Sequence, residues 1–440
     1  MQDLYPAHLS WLRNCFDAAL EASGFDRVVI ASGGQHMLFR DDWSHPFRGY
    51  AMFKWWVPVV DNPYCYVIYT KGAARPKVLF WQPRDYWHLP AAAPTAHWVE
   101  RVELVTIADP AELAKHLAGD LGRTAFLGES EPAADALAFG ARNPDALVAH
   151  LEYHRGYKTG YEVGCFERAT AKGVRAHRAA KAAFDAGASE FEIHLEYCRA
   201  AGQSEHALPY GNIIALNEMA AVLHYQHQRS ERPRERRSFL IDAGAQHAGY
   251  ACDITRTYSA KRDDFAALVA DMDAAQLRLC AAVAPGRPYP ELQKMAHLEV
   301  GGILKTHGIV DLAPEAAVAA RVTHAFFPHG VGHLLGLNVH DAGGFARSEK
   351  GGTLDKPQGE PNLRLTRPIE EHMVFTVEPG LYFIDLLLDE LKARPEARHV
   401  DWNKVAAFKP FGGVRIEDDV LVTKHGHRNL TREEFARQAV

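Results

Sequence analysis

Four carboxylates and a run of histidines are the residues of this chain best suited to chemistry. Asp242 and Asp253 fall on two strand-like segments, FLIDA (239–243) and ACDITRTY (251–258), joined by a short polar loop. A turn centred on His247-Ala248 would set Asp242 opposite Asp253 in antiparallel pairing. Like charges facing each other destabilise a sheet, and partly buried carboxylates repel more strongly still. Either the register differs and the acids miss each other, or a cation lies between them.

More carboxylates follow. Glu378 ends the apolar strand pattern of EHMVFTVEPGLYF (371–383), on the face opposite Phe375 and Val377. In GGVRIEDDVLVT (412–423), Arg415, Glu417 and Asp419 share one face of a strand. HAFFPHGVGHLLGLNVHD (324–341) places His324, His329, His333 and His340 close together, threaded by Gly330, Gly332 and Gly336. Singly, a strand carboxylate ordinarily faces solvent and a lone histidine ordinarily serves core or surface. Four carboxylates with one imidazole, however, make a hard, oxygen-rich ligand field suited to Mn²⁺ or Co²⁺. Their charge is too large for one divalent ion, so two ions are expected. No HExxH and no cysteine-based zinc spacing occurs. The GxGxxxG spacing lies outside any βαβ pattern, which argues against a dinucleotide loop.

In this order, IDAG (241–244), DITRT (253–257), HGVGHLLGLNVHD (329–341), EPGLY (378–382) and GGVRIED (412–418) resemble the metallopeptidases of the pita-bread fold. That family includes prolidases, Xaa-Pro aminopeptidases and methionine aminopeptidases. The resemblance covers about 160–440 and is specific as an ordered set. It implies metal ligation by Asp242, Asp253, His333, Glu378 and Glu417, with Asp253 and Glu417 bridging two ions, Mn²⁺ first and Co²⁺ second. It also implies catalytic or substrate-side roles for Glu378 as proton shuttle and for His329, His340 and His224. Arg415, two residues from Glu417 on the same strand face, is placed to point into that site and pair with a dipeptide's free carboxylate. Many relatives carry Asp where this chain has Asn338, a position outside the ligand set.

The implied reaction is hydrolysis of the imide bond before a C-terminal proline, with organophosphate triesters as a side activity. Within the family the chain most resembles bacterial Xaa-Pro dipeptidases. An Xaa-Pro aminopeptidase acting on longer peptides is the alternative, and a non-enzymatic binding module of the same fold is a remote third. The third would show ligand loss, and none of the five positions is lost. The resemblance further implies a homodimer.

Positioning these residues requires two domains. An amphipathic helix carrying Leu9, Leu12, Phe16 and Leu20 opens the chain, followed by apolar segments at 27–31, 65–70, 77–81 and 124–128. That alternation predicts an α/β domain over 1–155. Over 156–440, helices are expected at 161–186, from the Ser189 capping box onward, at 262–284 and at 289–307. They stand around strands at 239–243, 250–258, 373–378 and 413–423, so the catalytic part is α+β. The segment 384–411 has no clear pattern.

Composition narrows the class. With 440 residues, 47% of them hydrophobic, the chain can bury a large core, and a net charge of −6 offers no global field for nucleic acid or an anionic membrane. The five arginines of RSERPRERR (229–237) alternate with glutamates and read as a solvated connection. Six scattered cysteines, no apolar leader and no apolar run of about 18 residues point to a cytoplasmic protein without a membrane span.

Overall fold

The structure, a computed structural model, describes residues 2–87 and 89–439. The chain forms two compact units: one reaches to Cys165 and takes in Ala248–Tyr250 and Ala346–Thr353, the other holds Phe166–His247, Ala251–Phe345 and the chain from Leu354 onward.

The first unit is built on a six-stranded mixed sheet of β1 (Arg27–Ala31), β2 (Tyr66–Thr70), β3 (Lys77–Trp81), β4 (Glu103–Ile107), β5 (Thr124–Leu127) and β6 (Ala141–Arg142), in the order β4-β3-β2-β1-β5-β6. β1 pairs antiparallel with β2 and parallel with β5. The central strands are apolar runs buried on both faces, as a covered sheet requires. β4 escapes the apolar pattern because it lies at the sheet edge and carries the exposed Glu103 and Thr106. The first helix, Tyr5–Ser23, buries Leu9, Leu12, Phe16 and Leu20 as its spacing predicts.

In the second unit helices surround small antiparallel sheets. β7 (Ile213–Leu216), β8 (Ser238–Asp242) and β11 (Thr255–Ser259) form one sheet, ordered β11-β8-β7. β9 (Gln246–His247) and β10 (Tyr250–Ala251) make a short hairpin between β8 and β11. β12 (Val374–Val377), β15 (Asp418–Thr423) and β16 (Gly426–Asn429) form another sheet, and β13 (Gly380–Tyr382) pairs with β14 (Gly413–Arg415). An isolated bridge between Thr255 and Glu417 joins these layers. Helices Gly160–Asp185, Glu190–Ala201, Asp264–Ala281 and Tyr289–Thr306 match the periodicities of the sequence, and Ser189 caps the second through a complete capping box. Ala180, Phe184, Ile193 and Tyr197 pack from the helices onto Ile214, Phe239 and Ile241. Burying each such aliphatic or aromatic side chain contributes about 1.5–3 kcal/mol.

Two expectations need correction, and the segment left open by the sequence resolves into helices. Asp242 pairs with Thr255, not Asp253, because the hairpin turns at Ala248-Gly249, both in the left-handed region (φ 54° and 88°). Moving the turn by one residue slides the register by two, which keeps both acids on one face. The segment 250–258 is interrupted at 252–254, where Asp253 lines the cavity while Cys252 and Ile254 pack in the core, and 413–423 breaks at Ile416-Glu417. The segment 384–411 contains helices Asp385–Lys392 and Trp402–Phe408. No helix among the described residues is long and apolar enough to cross a membrane.

Candidate active site

Asp242 ends β8, and Asp253 lies just before β11 on the same sheet face. The Tyr210 hydroxyl sits between them, 2.8 Å from Asp242 Oδ1 and 2.5 Å from Asp253 Oδ1. It comes this close because Gly244 has no side chain: a Cβ there would lie 2.7 Å from the Tyr210 ring and 2.2 Å from the Cys252 carbonyl. One hydroxyl proton cannot serve two carboxylates at once, so a further proton or a cation must satisfy the pair. The Asp253 amide donates to both oxygens of the buried Asp419 at 3.2 Å, which fixes the backbone of Asp253 from below.

His333 and Glu378 are brought together by backbone pairing. The Thr376 amide donates to the His333 carbonyl at 3.0 Å, and the Glu378 amide to the Val331 carbonyl at 2.8 Å. This close approach depends on Gly332, where a Cβ would lie 2.0 Å from the Thr376 carbonyl oxygen. His333 Nδ1–H donates to the Leu334 carbonyl at 3.0 Å, so the lone pair sits on Nε2. That nitrogen faces Asp253 Oδ2 at 3.5 Å and Glu378 Oε1 at 3.7 Å. Glu417, between β14 and β15, accepts from the Thr255 hydroxyl at 2.6 Å. Asp253, His333 and Glu417 each bring a ligand atom within 4.8 Å of the others.

The electrostatics of this group are those of a cation site. Burial raises the Glu378 carboxyl to about 7, against the opposing pull of His333 and Arg415. Burial likewise raises Glu417, aided by Asp253, Glu378 and Asp242. Asp242 is also raised by burial, although Arg415 opposes it. Four converging carboxylates, two buried and two partly buried, cannot all stay ionised without positive charge among them. The donor set is oxygen-rich with one correctly oriented imidazole nitrogen, which fits hard divalent ions.

Arg415 already has partners within the chain. Its guanidinium donates to Asp242 Oδ2 at 2.7 Å, to the Tyr382 hydroxyl at 2.9 Å and to Thr255 Oγ1 at 3.3 Å. It is buried, ion-paired with Asp242 within the strand layer, and lines the cavity. His329 is similarly engaged: Nδ1–H donates to the Gly330 carbonyl, and Nε2 accepts from Tyr382 at 2.8 Å. Burial, then Arg415, lowers its pKa to about 3, so it stays neutral. His340 and His224 are exposed on the cavity wall. The His340 ring meets His333 edge-on at 4.4 Å, and partial desolvation by the cavity wall, followed by the neighbouring His333, lowers its pKa to about 4. His324 is not part of this site; it binds Glu360 at 2.9 Å and stacks on His297.

The site opens into a cavity of about 450 Å³ whose wall includes Leu223, Phe345, Pro361, Asn362 and two cations, Lys356 and Arg364. Lys356 donates to the Pro361 carbonyl at 2.6 Å and lies over the Phe345 ring. Arg364 is exposed, and no hydrogen bond or ion pair engages its guanidinium among the described residues. Sequence reasoning missed Arg364, Tyr210 and Asp419 in these roles. Tyr382 stood within EPGLY and was the one legible addition.

The family model of metallopeptidase family M24 matches residues 164–424, and that of the Xaa-Pro dipeptidase N-terminal domain matches residues 3–153. An Xaa-Pro dipeptidase of Stenotrophomonas maltophilia is 49% identical over 98% of this chain and 97% of its own length. One from Xanthomonas campestris pv. campestris is 50% identical over 98% of both chains. Among solved structures, aminopeptidase PepP of Pseudomonas aeruginosa superposes with a TM-score of 0.71 at 23% identity, covering 98% of each chain. Proline aminopeptidase P II from Yersinia pestis gives 0.70 at 22% identity, over 100% of this chain and 99% of its own. These two likenesses carry the fold alone.

Proposed function

We propose that this chain, which belongs to metallopeptidase family M24, is an Xaa-Pro dipeptidase that works through two divalent cations held by Asp242, Asp253, His333, Glu378 and Glu417. The observation that carries this reading is the convergence of those five side chains, four of them carboxylates, on one cavity that also presents the unpaired Arg364. The near-half identity to Xaa-Pro dipeptidases over almost the whole chain supports it. Bound cations supply Lewis acidity, lowering the pKa of a water and polarising the scissile carbonyl.

The protein's own residues do the rest. Glu378, with a carboxyl poised near neutrality and an oxygen 3.7 Å from His333 Nε2, is suited to take a proton and pass it to the leaving nitrogen. His340 is a neutral imidazole on the wall, with an N–H to offer a developing oxyanion. His224, on the same wall, is the second substrate-side imidazole. His329 keeps Tyr382 in place, and Tyr382 in turn receives a bond from Arg415. Because Arg415 is committed to Asp242, we assign the dipeptide's carboxylate to Arg364, whose guanidinium is free and exposed in the cavity. The cavity lies in the range of about 300–1,000 Å³ usual for small ligands. A prolyl nitrogen lacks N–H, so the site need supply no acceptor there.

Mn²⁺ is the ion favoured by the donor set, with Co²⁺ next. We place the functional boundary near 155, with the metal-binding part beyond it. All six cysteines are free thiols, as a reducing cytoplasm keeps them. The exposed Phe39, Trp43, Tyr86, Trp87 and Leu89 of the first unit support a homodimer. The test of function is direct: metal-stripped protein should release proline from Ala-Pro only after Mn²⁺ is restored. Failure to hydrolyse any Xaa-Pro dipeptide with Mn²⁺ or Co²⁺ would reject the reading.

A further inference from the structure

A second ligand set lies wholly within the first unit. His150 and His154 stand one turn apart on the helix Asp145–Arg155 and share a face, with ring centroids 4.6 Å apart. Opposite them is Glu349, at the tip of a turn closed by the Gly351 amide on the Ser348 carbonyl and the Arg347 amide on the Gly352 carbonyl. The turn packs closely on the helix: a Cβ on Gly351 would lie 3.6 Å from that of Ala149. His154 Nε2 meets Glu349 Oε2 at 2.8 Å. One donor atom from each of the three residues lies within 4.8 Å of the others.

His150 is the telling residue. It is only 6% exposed, and its buried Nε2 has no hydrogen-bond partner among the described residues. Buried ring nitrogens are ordinarily satisfied, so one left open beside a histidine and a carboxylate calls for a partner. Burial, then His154, lowers the His150 pKa, which keeps the ring neutral with a lone pair available. The His154 contact holds Glu349 below its ordinary range, so it is ionised.

We propose that His150, His154 and Glu349 form a binding site for one transition-metal ion of the zinc class, separate from the catalytic cations. Two imidazoles and one carboxylate suit Zn²⁺ better than Mn²⁺, with a fourth position left to water. The ion would fasten the 346–353 turn to the helix and give His150 Nε2 the partner it lacks.

The test uses the full-length protein in an Asp253→Asn, His333→Ala background, which disables the catalytic ligand set. Equilibrium dialysis against buffered Zn²⁺, followed by metal analysis, should find one ion per chain. Adding His154→Gln or Glu349→Gln, both at partly exposed positions, should weaken that binding at least about tenfold. Co²⁺ substituted for Zn²⁺ should give visible absorption bands that both changes abolish. Circular dichroism then reports whether each variant is folded. Equal Zn²⁺ binding with and without the substitutions in folded protein would overturn the proposal, as would a background protein that binds no Zn²⁺.

Discussion

Asp253 is held from three sides: Tyr210 donates to its carboxylate, His333 Nε2 faces it at 3.5 Å, and Asp419 accepts from its amide. A neutral amide at this position would keep the shape and lose the charge two cations need. Asp253→Asn should therefore cut hydrolysis of Xaa-Pro dipeptides at least about a hundredfold and lower the metal content of the purified protein. Metal analysis showing two ions at wild-type affinity would contradict the bridging role. The two arginines separate by substrate. A charge-assisted contact contributes about 1.5–3 kcal/mol, or about ten- to a hundredfold in kcat/KM. Arg364→Met should cost that much on Xaa-Pro acids and little on Xaa-Pro amides. Arg415→Met should hurt both equally, because it unseats Asp242 and Tyr382. A preference for acids lost in Arg415→Met but kept in Arg364→Met would reverse the assignment.

The elements decide how closely these residues approach. Gly332 lets the 331–333 backbone lie against β12, so that His333 and Glu378 share a site. Gly332→Ala would drive a methyl into the Thr376 carbonyl. A forced clash of this kind costs about 1–3 kcal/mol, read as a fall in melting temperature of roughly 2–10 °C, with metal binding weakened beside it. An unchanged melting temperature and metal affinity would show that the strand packing does not need this glycine. At this scale the sequence is only partly legible. The five proposed ligand residues stand out because each sits in a short motif, Asp242 and Glu378 at the ends of apolar strands. The hairpin register does not, because its turn places Ala248 in a left-handed conformation that alanine seldom adopts. Tyr210, Asp419 and Arg364 are isolated polar residues whose importance depends on contacts distant in the chain. Arg415 was legible as a site residue, but its partner was not, since strand pattern gives a side chain's face and not what it meets there.

For the whole molecule, the buried carboxylates tie stability to metal and pH. Glu378 titrates near 7 in the metal-free fold against an ordinary value of 4.5, and Glu417 and Asp242 are raised in the same direction, while Asp253 is lowered. A raised folded-state pKa means that stability from the protonated form is complete below about 4.5 and is lost as pH climbs through about 7. Metal-stripped protein should therefore melt at a lower temperature at pH 8 than at pH 5.5, and excess Mn²⁺ at pH 8 should restore it. Scanning calorimetry that shows no fall toward pH 8 would contradict the charge arrangement.

Dipeptidase action is the central claim, and peptide length tests it most directly. If Arg364 receives the carboxylate of proline, a third residue moves that charge away and puts a neutral amide against the guanidinium. Losing that charge-assisted contact costs about 1.5–3 kcal/mol. The measurement is kcat/KM for Ala-Pro and Ala-Pro-Ala with the same Mn²⁺-loaded protein. Ala-Pro should be cleaved at least about tenfold more efficiently; comparable values on the two peptides would contradict dipeptidase action and identify an Xaa-Pro aminopeptidase working through the same cation site.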